Sequence, residues 1–423
     1  MMKRTLQLFP ALSLAIAALT MGGCNKAEEK PKTTEAKPAT PATNAVAAAP
    51  AAAATDPIKI GVIGPFTGGS SPMGLSMRDG VRLAAKQINA SGGVLGRKIE
   101  LIERDDQATN ERGAQMTQEL LASQHVAALL GYINTGVAKA SVRYPNESKT
   151  PAIINVATGI IVNEYFKDAE GKPQENYLFS MSANDTIQSD LVVSEFCDHK
   201  GYKKIAILAD DTNYGQSGRE FVENELKKRG ITAVYVGKFK LKDTDMTPQL
   251  QEAKAAGADA LIVYGIGPEN AQIANGRAKL GWMVPMIGSW TMSMSNFIDN
   301  ATVNGEGVMM PQTFIQDSAK SDRQKTFVAD YLKEFKPQDD RIPVAVAAAQ
   351  GYDSMYVMAA AIKEAGSTDG TKVRDALCDL KAPVNGVVTT YNKPFKPDDH
   401  IALKKGDVGV GVVKGGRVAP TSL

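Results

Sequence analysis

The side chains able to do chemistry in this sequence collect in six short loops. They are Gly64-Pro65-Phe66-Thr67-Gly68-Gly69-Ser70-Ser71, Tyr132-Ile133-Asn134-Thr135-Gly136, Thr158-Gly159, Asp210-Asp211-Thr212-Asn213-Tyr214-Gly215, Tyr264-Gly265-Ile266-Gly267 and Ser289-Trp290-Thr291. Hydroxyls and backbone N–H groups are the donors a carboxylate needs, and Tyr and Trp supply flat apolar walls. No nucleophile–base pair converges in these loops. The chain also lacks G-x-S-x-G, G-x-x-x-x-G-K-[ST], H-E-x-x-H and C-x-x-C. GDVGVGVVKGG (406–416) comes nearest to a dinucleotide fingerprint, but Lys414 occupies the third glycine position and the run reads as a strand. His125, His199 and His400 are scattered and read as structural or surface residues, so no metal and no cofactor is expected. The chemistry on offer is recognition of a small molecule, not its conversion.

The elements that carry these loops alternate. IKIGVIG (58–64) is a short β-branched run ending in Gly-Pro, and Met73, Met77, Val81, Ala84 and Ile88 follow at helical spacing. Next come KIELIERD (98–105), a helix over 109–123, HVAALLG (125–131), a helix over 137–148 and PAIINVA (151–157). The rhythm restarts after YLFSMSA (177–183), with KKIAILAD (203–210), a helix over 216–229, ITAVYVGKF, a helix near 247–256, DALIVYG (259–265), a helix near 268–280, PMIG and GVMMP. Repeated β-α-β of this kind predicts parallel, doubly wound sheets. Helices are expected over 318–336 and 343–365, the latter buried on all sides, with tail strands near 385–391 and 407–413. In open α/β sheets a ligand sits beyond the carboxyl ends of the strands, where the six loops lie.

The 423 residues hold 48 Lys+Arg and 46 Asp+Glu, a charge of +2 with none of the basic concentration that nucleic acid demands. Lys3 and Arg4 account for that excess and open a positively charged, then apolar, export signal over residues 1–24. Its end, Met21-Gly22-Gly23-Cys24, resembles a bacterial lipobox, which implies cleavage and acylation at Cys24 and anchoring to a membrane face. Residues 25–56 are rich in Ala and Pro and free of aromatics, so they read as a disordered tether. Cys197 and Cys378 are expected to be two buried thiols rather than a disulfide.

The order and spacing of IKIGVIGPFTGG, INASGGVLGRKIELIERDDQ, GYINTG, ATG, DDTNYGQ and GYDSMYVMAAAIKEAG resemble the periplasmic Leu/Ile/Val-binding protein family over essentially all of 57–423. These are the type I solute-binding components of ABC importers. The resemblance implies an α/β fold of two Rossmann-like lobes, each with a central parallel sheet, joined by three hinge crossovers near Ser180, Pro311 and Lys396. Lobe 1 would comprise 57–180 and 312–396, and lobe 2 would comprise 181–311 and 397–423. It further implies that Thr135, the backbone of Val156, Ala157 and Thr158 hold a ligand carboxylate, with Asn134 beside Thr135; Phe66 is a further candidate in the loop after the first strand. Tyr264 would close over the ligand, and Tyr214 and Met73 would line its side-chain pocket. Where the family's amino-acid binders place an acid for the ligand ammonium, this chain has Trp290. Either Asp185, Asp210 or Asp211 substitutes, or the ligand is an organic or aromatic acid held by aromatic walls.

The resemblance therefore implies a periplasmic, lipid-anchored, monomeric substrate-binding protein. It would present an amino acid, of branched-chain type, or a carboxylic or aromatic acid to an ABC permease. A ligand-sensing module feeding a signalling receptor is the alternative. An exported enzyme on this scaffold finds no support in the motifs.

Overall fold

The computed structural model describes residues 56–421. The export signal, Cys24 and nearly all of the tether lie outside the described residues. Among the described residues no helix is long and apolar enough to cross a membrane.

The first half contains β1 (Ile58–Gly64), α1 (Ser71–Ala90), β2 (Ile99–Asp105), α2 (Asn110–Ala122), β3 (Ala128–Gly131), α3 (Thr135–Ser141), α4 (Arg143–Glu147), β4 (Ala152–Ile154) and β5 (Leu178–Ser180). The second contains α5 (Asp185–Val193), β6 (Ile205–Asp210), α6 (Asn213–Lys228), β7 (Tyr235–Phe239), α7 (Thr247–Ala255), β8 (Ala260–Tyr264), α8 (Gly267–Lys279), β9 (Met286–Gly288), α9 (Ser295–Ala301) and β10 (Met309–Gln312). The remainder is α10 (Asp322–Phe335), α11 (Ala345–Ala365), α12 (Gly370–Cys378), β11 (Val384–Asn385), β12 (Thr390–Tyr391), β13 (Gly409–Lys414) and β14 (Arg417–Pro420).

Five strands form one sheet in the order β2-β1-β3-β4-β5, all parallel. Seven form the other, β14-β13-β10-β9-β8-β6-β7. β1, β6 and β8 are nearly continuous apolar runs, broken only by Lys59 and the terminal Asp210, because helices cover both faces of each sheet, leaving no solvent side to demand alternation. The second sheet is not wholly parallel as expected: β13 lies antiparallel to β10, and β14 turns back antiparallel on β13 through Gly415-Gly416. The helix expected over 137–148 is two helices, with Pro145 inside the second. Pro can donate no backbone hydrogen bond, so a continuous helix through it would be weakened.

α11 is buried nearly all round, as its composition predicts, and lies across α1 at backbone contact. A Cβ on Gly80 would lie 2.0 Å from Ala348 O, and one on Gly351 would lie 2.1 Å from Met77 O. These two glycines let the helices meet so closely. The chain leaves the first sheet at Ser180, whose N–H donates to His400 O (2.8 Å) and whose carbonyl accepts from Ala402 N (2.9 Å). Lys396 pairs with Asp399, and Ile401 runs parallel beside Ser180 before the chain reaches β13. His400 is structural: it is buried, stacks on Phe179 (4.1 Å) and approaches the Cys378 thiol through Nε2 (3.3 Å). Cys197 is buried and Cys378 only partly so, and both are free thiols.

Candidate functional site

At the end of β3, Gly131 (φ 152°) passes so close to β1 that a Cβ there would lie 2.1 Å from Ile63 O, and Tyr132 turns left-handed (φ 59°). That reversal delivers Asn134 and Thr135 to the edge of the sheet. Thr135 is buried and its Oγ1 accepts the Gly159 N–H at 3.3 Å, so the loops after β3 and β4 are stitched together. A Cβ on Gly159 would lie 2.6 Å from Thr135 Cγ2, which makes this contact specific to glycine. Ser182 Oγ donates to Val156 O (3.0 Å), and Asp185 N donates to Thr158 O (2.8 Å), tying the start of α5 to the same loop.

From the seven-stranded sheet, Thr212 caps α6 and both its N–H (2.9 Å) and hydroxyl (2.5 Å) reach Asp210 Oδ1. Tyr214, the second residue of that helix, is buried, hydrogen-bonds Ser289 Oγ and reaches Thr291 Oγ1 at 3.4 Å. Tyr264 ends β8 with its ring 5.8 Å from that of Tyr214. Trp290 is 1% exposed, fixed by its N–H to Gln188 Oε1 (3.0 Å) and by Ser293 Oγ on its carbonyl (2.6 Å).

Between the two sheets these loops enclose a cavity of about 20 Å³, roughly one water in size. Met73, Asn134, Val156, Thr158, Tyr214 and Trp290, all expected from the sequence, line it. Ser70, Ile133, Ile266 and Thr291 of the same loops join them, together with Met294, which sequence reasoning missed. Met294 follows the Ser289-Trp290-Thr291 loop by a single short turn, and only its apolar type beside that loop could have signalled it.

Four expected residues stand off this wall. Ala157 is corrected most clearly: its N–H is already donated to Tyr132 O (3.0 Å), and its methyl belongs to the core on the other face of the first sheet. Phe66 N donates to Asp105 Oδ1 (2.8 Å) and its ring lies under the Arg78 guanidinium at 5.2 Å, so it serves the β1–α1 turn. Thr135 spends its hydroxyl on Gly159. Tyr264 lies behind Tyr214, fully buried.

Buried polar atoms without a protein partner in the loops around this cleft include Thr158 Oγ1, Asn134 Oδ1, Asp185 Oδ1, Asp210 Oδ2 and Tyr264 OH. Of the candidate acids, Asp211 is exposed, and Asp210 is engaged by Thr212 at one oxygen. Asp185 is fully buried, with only Ser217 Oγ on its other oxygen at 3.3 Å. Burial pushes its pKa up to about 6 against the nearby Thr158 and Ser217 hydroxyls and Lys139. Burial, with the Asp185 charge, also raises Tyr264 well above its ordinary value, so the phenol is neutral and able to donate. The arrangement offers the Thr158 hydroxyl on an apolar wall, with the Asp185 carboxylate and the Tyr264 phenol buried in the loops behind it.

The periplasmic binding protein family model matches residues 57–412. The chain is 26% identical to Leu/Ile/Val-binding protein homolog 3 of Brucella melitensis over 341 residues, 80% of this chain and 88% of that protein. Its structure superposes on a periplasmic binding protein type 1 of Bordetella pertussis Tohama I with a TM-score of 0.78 at 25% identity, covering 86% of this chain and 100% of the other. It shares the fold of an ABC-transporter solute-binding protein of Rhodopseudomonas palustris BisB5, solved in complex with 3,4-dihydroxy benzoic acid (TM-score 0.71, 24% identity, 85% and 94% covered).

Proposed function

The chain belongs to the periplasmic binding protein family, and from that premise we propose that it is the substrate-binding component of an ABC importer, capturing a small amino acid between its two lobes. The observation that carries this reading is the set of unpartnered buried atoms, Thr158 Oγ1, Asp185 Oδ1 and Tyr264 OH. A buried polar group without a partner costs about 1–3 kcal/mol, and a bound amino acid would satisfy these. Thr158 Oγ1 and the backbone N–H of Val156 serve the ligand carboxylate, Asp185 faces the ammonium in place of the acid that Trp290 replaces, and Tyr264 donates its phenol. Trp290, Tyr214, Met73 and Ile266 then enclose the side chain.

The lobes are those built on the five- and seven-stranded sheets, and they open and close at the passages by Ser180, Gln312 and the 396–408 segment. Asn296 Nδ2 on one lobe donates to Gly69 O on the other (2.8 Å), a contact that opening must break. Export, anchoring at Cys24 and a monomeric state complete the reading, with a permease as partner. A sensing module with the same site would co-purify with a receptor kinase instead.

Trp290 favours one second reading, an aromatic carboxylic acid whose ring stacks against it and needs no counter-charge. Isothermal titration of wild-type and Asp185→Asn protein with amino acids and with benzoates separates the two. The amino-acid reading requires that the substitution weaken amino-acid binding about tenfold or more. Tight benzoate binding, unaltered by the substitution and with no amino acid bound by either protein, contradicts it.

A further inference from the structure

The inner cavity opens past Asn134, Tyr214 and Ile266 into a vestibule of about 490 Å³ between the rims of the two lobes. Asn110 and Glu111 form its wall on one side, and Asp211, Asn213 and Gln216 on the other. It is lined by two exposed carboxylates and several amides, with no lysine or arginine among its lining residues. Arginines on the same helices are engaged: Arg112 Nε donates to Asp105 O (2.8 Å), and Arg219 pairs with Glu223 and gives its Nε to Gln216 Oε1 (3.2 Å). The rims come together at Gly136, where a Cβ would lie 2.7 Å from Asn110 Oδ1 and 3.1 Å from Asn213 Oδ1.

Inward of the vestibule the throat is apolar, walled by Met73, Ile133, Val156, Ile266 and Met294. At its polar end Thr158 Oγ1, on a residue 2% exposed, has no partner. At the junction of the two spaces Asn134 gives Nδ2 to Ser70 Oγ (3.1 Å), while its buried Oδ1 accepts nothing. The sequence of environments along the cleft is therefore donor, apolar stem, free acceptor, then carboxylates and amides.

We propose that the ligand is an α-amino acid whose long side chain ends in a cationic, donor-rich group, of the arginine, lysine or ornithine kind. Its carboxylate lies at Thr158 and its methylenes thread the throat. Its terminal N–H groups meet Asn134 Oδ1, Glu111 and Asp211. Such donors make charge-assisted hydrogen bonds to both carboxylates, whereas a leucine side chain ends in the throat and makes none. This inference rests on the reading of the cleft as an amino-acid site.

Titration of the full chain with L-arginine, L-lysine, L-leucine and benzoate, at low and at high salt, tests it. At low salt arginine or lysine is expected to bind about tenfold or more tightly than leucine, a preference that shrinks with added salt. Glu111→Gln combined with Asp211→Asn is expected to remove that preference while leaving leucine affinity within about twofold, because the throat is untouched. Leucine binding as tightly as arginine, or a preference that survives the double substitution, overturns the inference and leaves the amino-acid site standing. Benzoate binding with no amino acid bound overturns the amino-acid site itself.

Discussion

Asp185 is the residue on which ligand choice turns. It is the first residue of α5, its backbone N–H is spent on Thr158 O, and one carboxylate oxygen is buried without a partner. Asp185→Asn keeps shape but removes the charge. Loss of a charged hydrogen bond is worth about 1.5–3 kcal/mol, so amino-acid affinity is expected to fall roughly ten- to a hundredfold by calorimetry. The same residue sets a pH dependence. Its pKa is raised to about 6, so at pH 7.5 it is ionised and able to pair with an ammonium. Below pH 6 it takes up a proton, and affinity for an amino acid is expected to decline by up to about tenfold per further pH unit until the ligand itself titrates. A flat affinity profile between pH 7.5 and 5 removes Asp185 from the site.

At the scale of elements, the site depends on how closely helices pass the strand ends. Gly218 of α6 lies against the Tyr264 ring, where a Cβ would sit 1.9 Å from Cδ1. Gly218→Ala must therefore push Tyr264 out of place, and ligand affinity is expected to fall while far-ultraviolet circular dichroism stays unchanged. Gly351→Ala acts elsewhere, wedging α11 from α1. A drop in stability of about 1–3 kcal/mol, read as a lower melting temperature with ligand affinity retained in the folded protein, is the expected result. These contacts were not legible in the sequence, whereas the elements themselves were. β1, β6 and β8 announce themselves because double burial selects nearly unbroken apolar runs, and α11 because an all-round apolar helix has only the interior to occupy. The antiparallel return of β13 and β14 left a weaker signal, two short strands around Gly415-Gly416, since edge pairing is decided by the neighbouring β10. In the site, residue type brought Thr158, Tyr214 and Trp290 to the cavity wall. It misplaced Ala157 and Phe66, because the commitment of a loop N–H, to Tyr132 O or Asp105 Oδ1, is settled by tertiary contacts that no local pattern records.

For the whole molecule, burial of carboxylates sets the relation between stability and pH. Asp106 is raised to about 7, and Asp185, Asp210 and Asp353 to about 6, each chiefly by burial. The native state thus holds protons that the unfolded chain releases near its ordinary carboxylate value, and stability declines as pH rises through the interval from about 4 to 7. Glu175 and Asp379, held near 2 by ion pairs, act in the opposite sense at lower pH and sit in water, where screening weakens them; His400, lowered to about 4 by burial, offsets one of the four raised acids between about pH 4 and 6.5. The ligand-free protein is expected to melt several degrees higher at pH 5 than at pH 7.5, by calorimetry, and an equal or lower value at pH 5 contradicts this account of the buried acids. The central claim is that a small amino acid is held between the lobes by Thr158, Asp185 and Tyr264. Its most direct test is the melting temperature of wild-type and Thr158→Val, Tyr264→Phe protein across a panel of amino acids and aromatic acids. The account predicts a concentration-dependent rise with at least one amino acid, lost in the double variant; no rise with any of them, or one that the double variant retains in full, would contradict it.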